Sequence, residues 1–224
     1  MRIYPVKLGI SRCYLIQGEK GMILIDCGPP KKVRAFLAVL DKLSLNPAEI
    51  KLITLTHGHW DHIGSAVVIK NVTGAQIALH REEKEWLEKS LKPMPPGVTG
   101  WGRVLARILA ISLPWIHIPA AEVDIVLDDR EFPLSGYGIP GRIIPTPGHS
   151  RGSVSVLLDT GDAFVGDLAM NVLPLCLRPG LPIFAENIEQ VRESWKRLLG
   201  EGAKKVYPAH GRPFPADVIR KVLQ

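Results

Sequence analysis

The sequence predicts an α/β (α+β) fold in which two β-sheets pack face to face and helices cover their outer faces. Each half of the 224-residue chain shows short apolar runs followed by strand and helix patterns, which is the order expected of such a layered sandwich. Hydrophobic residues make up 46% and charged residues 22%, the balance of a globular protein with a large core. No Ser-, Gly- or Pro-rich linker divides the chain, so we predict a single domain over residues 1–224.

The first half begins with three short apolar runs bounded by Gly and Pro, which predict the strands of a meander. Apolar residues at helical spacing predict a helix over 31–43, and the near-continuous run IKLITLT, 50–56, predicts a strand buried on both faces. A helical pattern over 64–72, the strand QIALH at 76–80 and a charged helix over 81–90 follow. The three meander runs are 2–8, 12–18 and 22–30.

The second half repeats this order and carries a terminal helix from about Ala216. Two apolar segments do not fit a minimal sandwich: 93–119, a Pro- and Gly-punctuated insertion with a helical core, and 171–184, an apolar loop. Each covers either the core or, as a lid, the functional site. The other predicted elements are strands near Ile125 and Ile143, strands at 154–158, 163–165 and 204–208, and a helix at 186–199.

Composition narrows the functional classes. Charged residues interrupt Met1–Ile16, which argues against a secretory signal, and the apolar stretch Val104–Ile118 is shorter than the roughly 20 residues of a membrane span. Three scattered cysteines favour reduced thiols and a cytoplasmic location. The net charge of +6 favours anionic partners, but the basic residues are dispersed, which leaves nucleic acid open without favouring it.

The motif THGHWDHIGS, residues 56–65, concentrates three of the seven histidines. Neutral imidazole is a good zinc ligand, and His57 and His59, two residues apart, can direct both rings at one ion. Asp61 and His62 follow on the next turn of chain, where they can face a second ion. One short loop would thus supply half of a two-metal site.

Three residues of the second half complete the predicted ligand set. His149 in TPGHSRGS, Asp167 in DAFVGDLAM and His210 in KKVYPAHGRP each follow an apolar run, at predicted strand-to-loop junctions where functional side chains concentrate. His80 and His117 lie outside such contexts, and we interpret them as a strand-end residue and a residue of the insertion.

In their order and local contexts these seven side chains resemble the metallo-β-lactamase superfamily, in its hydrolase branch related to glyoxalase II. The resemblance spans nearly the whole chain and implies a four-layer αββα sandwich with two metals in a groove at its edge. It implies that Asp26 of ILIDCG supports the loop rather than binding metal. The implied ligands are His57, His59 and His149 for the first metal, Asp61, His62 and His210 for the second, and Asp167 bridging both.

The implied chemistry is hydrolysis by a hydroxide held between two divalent ions, with Asp61 orienting it and shuttling its proton. The ligand set predicts zinc and leaves iron and manganese open. We expect a small-molecule ester, thioester or lactone with an apolar part, because two apolar segments accompany the site. A phosphodiesterase or nuclease remains the main alternative, followed by an oxygenase resembling persulfide dioxygenases with one iron on His57, His149 and Asp167, and by non-catalytic binding.

Departures from the superfamily's better-known members narrow the substrate. True β-lactamases of this fold often have a cysteine ligand where this chain has Asp167, and many lactonases have a tyrosine shortly after that aspartate, where this chain reads Leu168-Ala169-Met170. Antibiotic hydrolysis is therefore disfavoured and a lactone is left without specific support. The 93–119 insertion leaves homodimer formation and membrane-surface contact open.

Overall fold

The structure, a computed structural model, describes residues 1–173, 175–176 and 178–224. Two six-stranded sheets form its centre, and each is built from one contiguous part of the chain. The first sheet contains β1 (Arg2–Leu8), β2 (Ser11–Gln17), β3 (Met22–Ile25), β4 (Ile50–Thr54), β5 (Gln76–His80) and β6 (Ile125–Leu127), in that spatial order. The second contains β7 (Phe132–Pro133), β8 (Gly141–Pro145), β9 (Val154–Leu158), β10 (Asp162–Asn171), β11 (Lys205–Gly211) and β12 (Phe214–Pro215).

Helices connect the strands that run parallel. In the first sheet β1, β2 and β3 are antiparallel, whereas β3 to β6 are parallel and joined through helical crossovers. In the second sheet only the pair β10–β11 is parallel among the described strands. The helices are α1 (Val33–Lys42), α2 (Trp60–Ile63), α3 (Ala66–Thr73), α4 (Lys84–Glu88), α5 (Gly100–Ser112), α6 (Ile188–Gly200) and α7 (Asp217–Leu223).

Three hydrophobic clusters divide the interior into layers. The cluster between the sheets contains Tyr14, Phe164 and Tyr207, whose rings pack with centroids 4.5–5.4 Å apart. A second cluster lies between the first sheet and α1, through Phe36, and a third lies between the second sheet and α6, through Trp195. This helix–sheet–sheet–helix order confirms the predicted αββα sandwich.

The ends of several elements differ from the prediction. The strand predicted at 163–165 continues to Asn171, because β10 remains paired with β11 beyond Phe164. The charged helix predicted over 81–90 is a 3₁₀ turn, Arg81–Glu83, followed by the short α4.

The described residues of the two unusual apolar segments contact each other. The core of the 93–119 segment is α5, as its apolar pattern predicts. The 171–184 segment contacts the 93–119 segment through a bridge between Gly97 and Phe184. A second bridge pairs its Gly180 with Met170 of β10. Pro174 and Leu177 lie outside the described residues. None of the helices in the described ranges is long and apolar enough to cross a membrane.

Candidate metal centre

The THGHWDHIGS motif follows β4 and forms a tight loop that ends in α2. His59 stands at the amino end of α2, in extended backbone, and its carbonyl accepts hydrogen bonds from the amides of His62 and Ile63. This turn brings Asp61 and His62 to the same side as His57. The ring centroids of His57 and His62 lie 3.9 Å apart, and the side chains of His57, His59, Asp61 and His62 are buried.

The residues from the second half of the chain converge on this loop. His149 Nε2 lies 3.0 Å from His59 Nδ1, and His210 Nε2 lies 3.1 Å from Asp61 Oδ2. Asp167 stands between the two groups, with Oδ1 3.4 Å from His210 Nε2 and Oδ2 3.7 Å from His149 Nε2. The donor atoms form three sets close enough to hold an ion: His57, His59 and His149; Asp61, His62 and His210; and His57, His62 and Asp167.

In four of the five histidines of the cluster, the ring nitrogen that faces away from the other donors, Nδ1, forms a hydrogen bond with another group of the protein. A histidine ligand held in this way presents the other nitrogen in a fixed direction and in one tautomer. His59 is turned the other way and presents Nδ1 to the cluster. The four pairs are His57 Nδ1 with Thr56 Oγ1 (3.1 Å), His62 Nδ1 with Asp26 Oδ2 (2.9 Å), His149 Nδ1 with the Phe184 carbonyl (2.8 Å) and His210 Nδ1 with the Ile10 carbonyl (3.2 Å).

Asp26 organises the loop from behind, as the resemblance implied. Its carboxylate accepts hydrogen bonds from the Thr56 amide at 2.8 Å and from the Thr56 hydroxyl, as well as from His62. The residue is buried, directly follows β3 and adopts a φ of 60°, in the left-handed region. Asp26 therefore fixes the loop and the ring of His62 together.

Two charge states meet within the cluster. Burial, with the neighbouring imidazoles, lowers the pKa of His57 and His149 and lowers that of His59 to about 3, so all three rings are neutral at pH 7. Burial also opposes protonation of His62 and His210. The facing carboxylates outweigh it, raising the pKa of His62 well above its usual value and that of His210 to about 8.

The carboxylates respond in the opposite sense. Burial would raise the pKa of Asp167, but the positive charges of His210 and His62 hold it far below its usual range. Burial would also raise the pKa of Asp61, but His62 and His210 lower it below its usual value. The positive charges of protonated His62 and His210 thus balance the negative charges of the buried carboxylates Asp61 and Asp167.

The donor set fits a divalent metal. Among the described residues, three of its buried atoms form no hydrogen bond: His57 Nε2, His62 Nε2 and Asp167 Oδ1. Within the described ranges His57 Nε2 also has no ion-pair partner, and a buried polar atom left without any partner costs about 1–3 kcal/mol. The three belong to one of the ion-sized groups, and imidazole nitrogens with carboxylate oxygens are ligands that zinc, iron and manganese accept.

The prediction that each ligand follows the end of a strand is wrong for Asp167 and His210. Asp167 lies inside β10 and His210 inside β11, and the register between these strands shifts on both sides of Gly166. Gly166 adopts a φ of 51°, and a Cβ there would lie 2.3 Å from Thr56 Oγ1. Glycine at this position therefore lets β10 bend against the His57 loop and turn Asp167 into the cluster.

Sequence reasoning missed two residues that hold the ligand loops. Glu83 is fully buried and accepts hydrogen bonds from the Gly58 amide and, at 2.9 Å, from the Gly152 amide, so it joins the two ligand loops. Burial raises its pKa to about 7. Trp86 stacks on His59 with ring centroids 5.6 Å apart. Both lie in the charged run 81–90, where no pattern separates Glu83 from its acidic neighbours.

The two histidines left outside the predicted set lie apart from the cluster. His80 accepts a hydrogen bond from the Glu82 amide and so caps the 3₁₀ turn after β5. His117 is exposed beyond α5. Neither belongs to the groups of residues that could hold an ion among the described residues.

Five of the seven donor residues line a cavity of about 470 Å³: His59, Asp61, His149, Asp167 and His210. The rest of its wall is mainly apolar and comes from the two unusual segments, together with the β1–β2 turn around Gly9. The apolar lining residues of those segments are Pro93, Met94, Pro95, Leu105, Leu109, Val172, Leu173, Leu175 and Phe184.

The order of the donors along the chain, on this sandwich, matches a known family. A sequence model described as the metallo-beta-lactamase superfamily matches residues 6–210. The chain belongs to the metallo-beta-lactamase superfamily. Members of this superfamily are hydrolases. This chain has a group of His and Asp side chains that could hold metal.

Relatives within the metallo-beta-lactamase superfamily differ in length and description. The Drosophila melanogaster "Beta-lactamase-like protein 2 homolog" is 27% identical over 90% of this chain, which spans only 58% of that protein. "Metallo-beta-lactamase fold-containing protein ST1585" of Sulfurisphaera tokodaii is 30% identical over 96% of this chain and 78% of its own length. A crystal structure of ST1585 from Sulfolobus tokodaii has a TM-score of 0.71 at 25% identity, covering 99% of this chain and 84% of that one. "Hydroxyacylglutathione hydrolase GloC" of Haemophilus influenzae is 29% identical over 75% of this chain and 71% of its length.

Proposed function

We propose that this chain is a dinuclear metal hydrolase that cleaves an ester or thioester bond in a substrate with an apolar acyl part. The observation that carries the proposal is that five of the donor residues line a cavity whose remaining wall is mainly apolar. Apolar pockets with a few convergent polar groups are typical of small-molecule sites. The name of the GloC relative, a hydrolase of hydroxyacylglutathione, points to acyl chemistry in the same family.

The donor geometry suggests which side chains would hold each ion. His57, His59 and His149 would hold the first metal and Asp61, His62 and His210 the second, with Asp167 reaching both. Zinc is the metal we propose for this nitrogen and oxygen set. Two such ions, when bound, would polarise the scissile carbonyl and lower the pKa of a water toward neutrality.

The chain's own residues would position the substrate and handle the proton. Leu105, Leu109 and Phe184 would take up the acyl chain and exclude water from it. Asp61 faces the cavity, and its carboxylate would accept the proton of the attacking water and pass it on to the leaving group. Lys7 also lines the cavity, and its ammonium group would lie beside the charged part of a leaving group.

The proposal is tested with the purified chain loaded with zinc, iron or manganese and analysed for metal content. Nitrophenyl esters of rising acyl length, an acyl thioester, a lactone and bis(nitrophenyl) phosphate form the substrate panel. We expect two metals per chain and turnover of esters or thioesters. Cleavage of the phosphodiester alone would replace this proposal with a phosphodiesterase, and a single iron with oxygen uptake would replace it with an oxygenase.

Asp61 provides the first mutational test. Asp61→Asn keeps the shape of the side chain but removes its basicity, so kcat should fall by about 100-fold or more. His117→Ala, at an exposed position outside the site, is the matched control and should retain full activity. Metal content is measured for both proteins, because Asp61 is also a proposed ligand; full activity of a metal-loaded Asp61→Asn protein would remove Asp61 from the mechanism.

A further inference from the structure

Helix α5 is apolar on two faces, and only one of them is used by the fold. Leu105 and Leu109 pack against the cluster of Met170, Ile183 and Phe184 and line the cavity. On the outside, Val104 is 47%, Ile108 55% and Ile111 75% exposed, and these residues recur at helical spacing along one stripe.

Two further exposed apolar side chains stand after α5 and in the segment that packs beside it. Trp115, in the turn that follows α5, is 86% exposed, and Leu173, from the segment packed beside α5, is 67% exposed. Leu173 also lines the cavity, so the outer apolar surface reaches the cavity mouth. We call the surface formed by Val104, Ile108, Ile111, Trp115 and Leu173 the α5 face. Several large exposed apolar side chains on neighbouring segments are typical of an interaction site.

The charge around the α5 face has one sign. Arg103 and Arg107 flank the stripe one turn apart, both are exposed, and neither guanidinium contacts a carboxylate in the part of the chain that the structure describes. The sequence contains no Asp or Glu between Glu88 and Glu122, and none between Asp167 and Glu186. The two segments that form the α5 face are therefore apolar and cationic, without acidic residues.

We propose that the α5 face docks on an anionic membrane surface and presents the cavity mouth to membrane-resident acyl esters. Apolar side chains with tryptophan, flanked by arginine, suit the boundary between headgroups and acyl chains of an anionic bilayer. A symmetric dimer fits this surface less well, because a two-fold contact places the same patch on both subunits and would bring four arginines together without a carboxylate. The docking stands on the surface alone, whereas its role in substrate supply rests on the proposed hydrolase.

The docking is tested by co-sedimentation of the purified full chain with vesicles of phosphatidylcholine alone and of phosphatidylcholine with phosphatidylserine in equal parts. We expect binding to the anionic vesicles that weakens with salt. Because each basic residue at such a surface contributes a factor of about 5, Arg103→Glu with Arg107→Glu should reduce binding by about 25-fold or more. Ile108→Glu with Ile111→Glu should reduce it by at least about 10-fold through loss of apolar insertion.

Matched controls separate a local contact from a general charge effect. Arg34→Glu with Lys42→Glu on α1 changes the net charge by the same amount, and Val68→Glu with Val72→Glu changes two partly exposed valines of α3. Both control proteins should bind vesicles like the unmodified chain. Absence of vesicle binding, equal losses in the control proteins, or a dimer that the Ile108→Glu, Ile111→Glu protein dissolves without any vesicle binding would each overturn the proposal.

Activity gives the readout for substrate supply. Arg103→Glu with Arg107→Glu should leave hydrolysis of a short, water-soluble ester unchanged and reduce hydrolysis of a long-chain acyl ester held in anionic vesicles by about 10-fold or more. If the unmodified chain binds vesicles but cleaves neither ester, the hydrolase proposal fails and the docking remains. Equal hydrolysis of the vesicle-held ester by both proteins would overturn the supply role.

Discussion

At the scale of single residues, the most informative contact behind the predicted metal ligands is the one between Asp26 and His62. The Asp26 carboxylate receives the His62 Nδ1–H at 2.9 Å and the Thr56 amide at 2.8 Å. A carboxylate behind a histidine ligand fixes its ring and raises its basicity. These contacts show Asp26 supporting the loop, the role that the resemblance implied, whereas its not binding metal remains a prediction.

Replacing Asp26 should weaken metal binding without removing a proposed ligand. For Asp26→Asn we expect metal affinity to fall by about 10- to 100-fold, because the His62 ring loses its charged partner. Competition with a chromophoric chelator measures the affinity of each site. Asp41→Asn, an exposed change in α1, is the control. Unchanged affinity in the Asp26→Asn protein would mean that Asp26 only holds the loop.

Glu83 gives a prediction about pH. Burial raises its pKa to about 7 in the folded chain, with the charge of Glu186 acting in the same sense, against hydrogen bonds from Ser150, Gly58 and Gly152. Between its ordinary pKa of 4.5 and 7, the folded chain binds a proton at Glu83 that the unfolded chain releases. The contribution of this group to stability is therefore complete below pH 4.5 and is lost as the pH rises to 7.

Glu83→Gln isolates this contribution. The free energy of unfolding of the unmodified chain, relative to the Glu83→Gln chain, should fall by up to about 1.4 kcal/mol per pH unit between pH 4.5 and 7. Urea titrations at constant metal loading measure the difference. Glu82→Gln, its exposed neighbour, should show no such slope. Parallel pH profiles for the unmodified and Glu83→Gln proteins would show that Glu83 keeps one charge state throughout.

The sequence revealed these residues unequally for a physical reason. His57, His59 and His62 are visible because several histidines in one short loop are rare without a metal. Glu83 acts through two backbone amides, and a carboxylate that accepts from amides leaves no pattern in the side chains around it. The seven side chains predicted as ligands are brought together by the structure, while their coordination of metal remains a prediction.

At the scale of elements, hydrophobic spacing predicted most helices and strands and failed where pairing continued past an apolar run. β10 extends to Asn171 because it remains paired with β11 beyond Gly166. The charged Asp167 within this strand interrupts the apolar pattern by which a strand is predicted from sequence. The helical core of the insertion was predictable, whereas the direction of its two apolar faces depends on the 171–184 segment that packs against it.

Helix α5 should set the acyl length that the site accepts. Leu109→Trp would fill part of the 470 Å³ cavity and reduce kcat/KM for a long acyl ester, by about 4-fold for each methylene that it displaces. Activity on an acetyl ester should change little. Leu91→Trp, at an exposed position outside the cavity, is the control. A uniform loss across acyl lengths would place the acyl chain elsewhere.

At the scale of the whole molecule, the donor cluster joins the two sheets. His57, His59, Asp61 and His62 follow the fourth strand of one sheet, whereas Asp167 and His210 belong to the other. A ligand that binds only the folded state adds about 2.7 kcal/mol at a hundred times its Kd. Metal bound here would therefore stabilise the packing of one sheet against the other.

Metal removal should accordingly lower the melting temperature. For a chain of 224 residues, about 2.7 kcal/mol corresponds to a shift on the order of 5–10 °C. Calorimetry of the metal-loaded and chelator-treated chain measures it. His149→Ala combined with His210→Ala should abolish the difference between the two preparations. An equal melting temperature with and without metal in the unmodified chain would contradict this prediction. It would show that protonated His62 and His210 already stabilise the buried carboxylates as well as metal does.

The contiguous order of the sheets suggests that the chain can be assembled from two pieces. Every strand up to Leu127 belongs to one sheet and every described strand from Phe132 onward to the other, so a break in the exposed turn between them cuts no strand. Each fragment would carry part of the donor set and one half of the inter-sheet core. We expect the fragments to recombine more tightly with zinc than with a chelator, a metal-triggered complementation that analytical ultracentrifugation would detect and that equal association under both conditions would contradict.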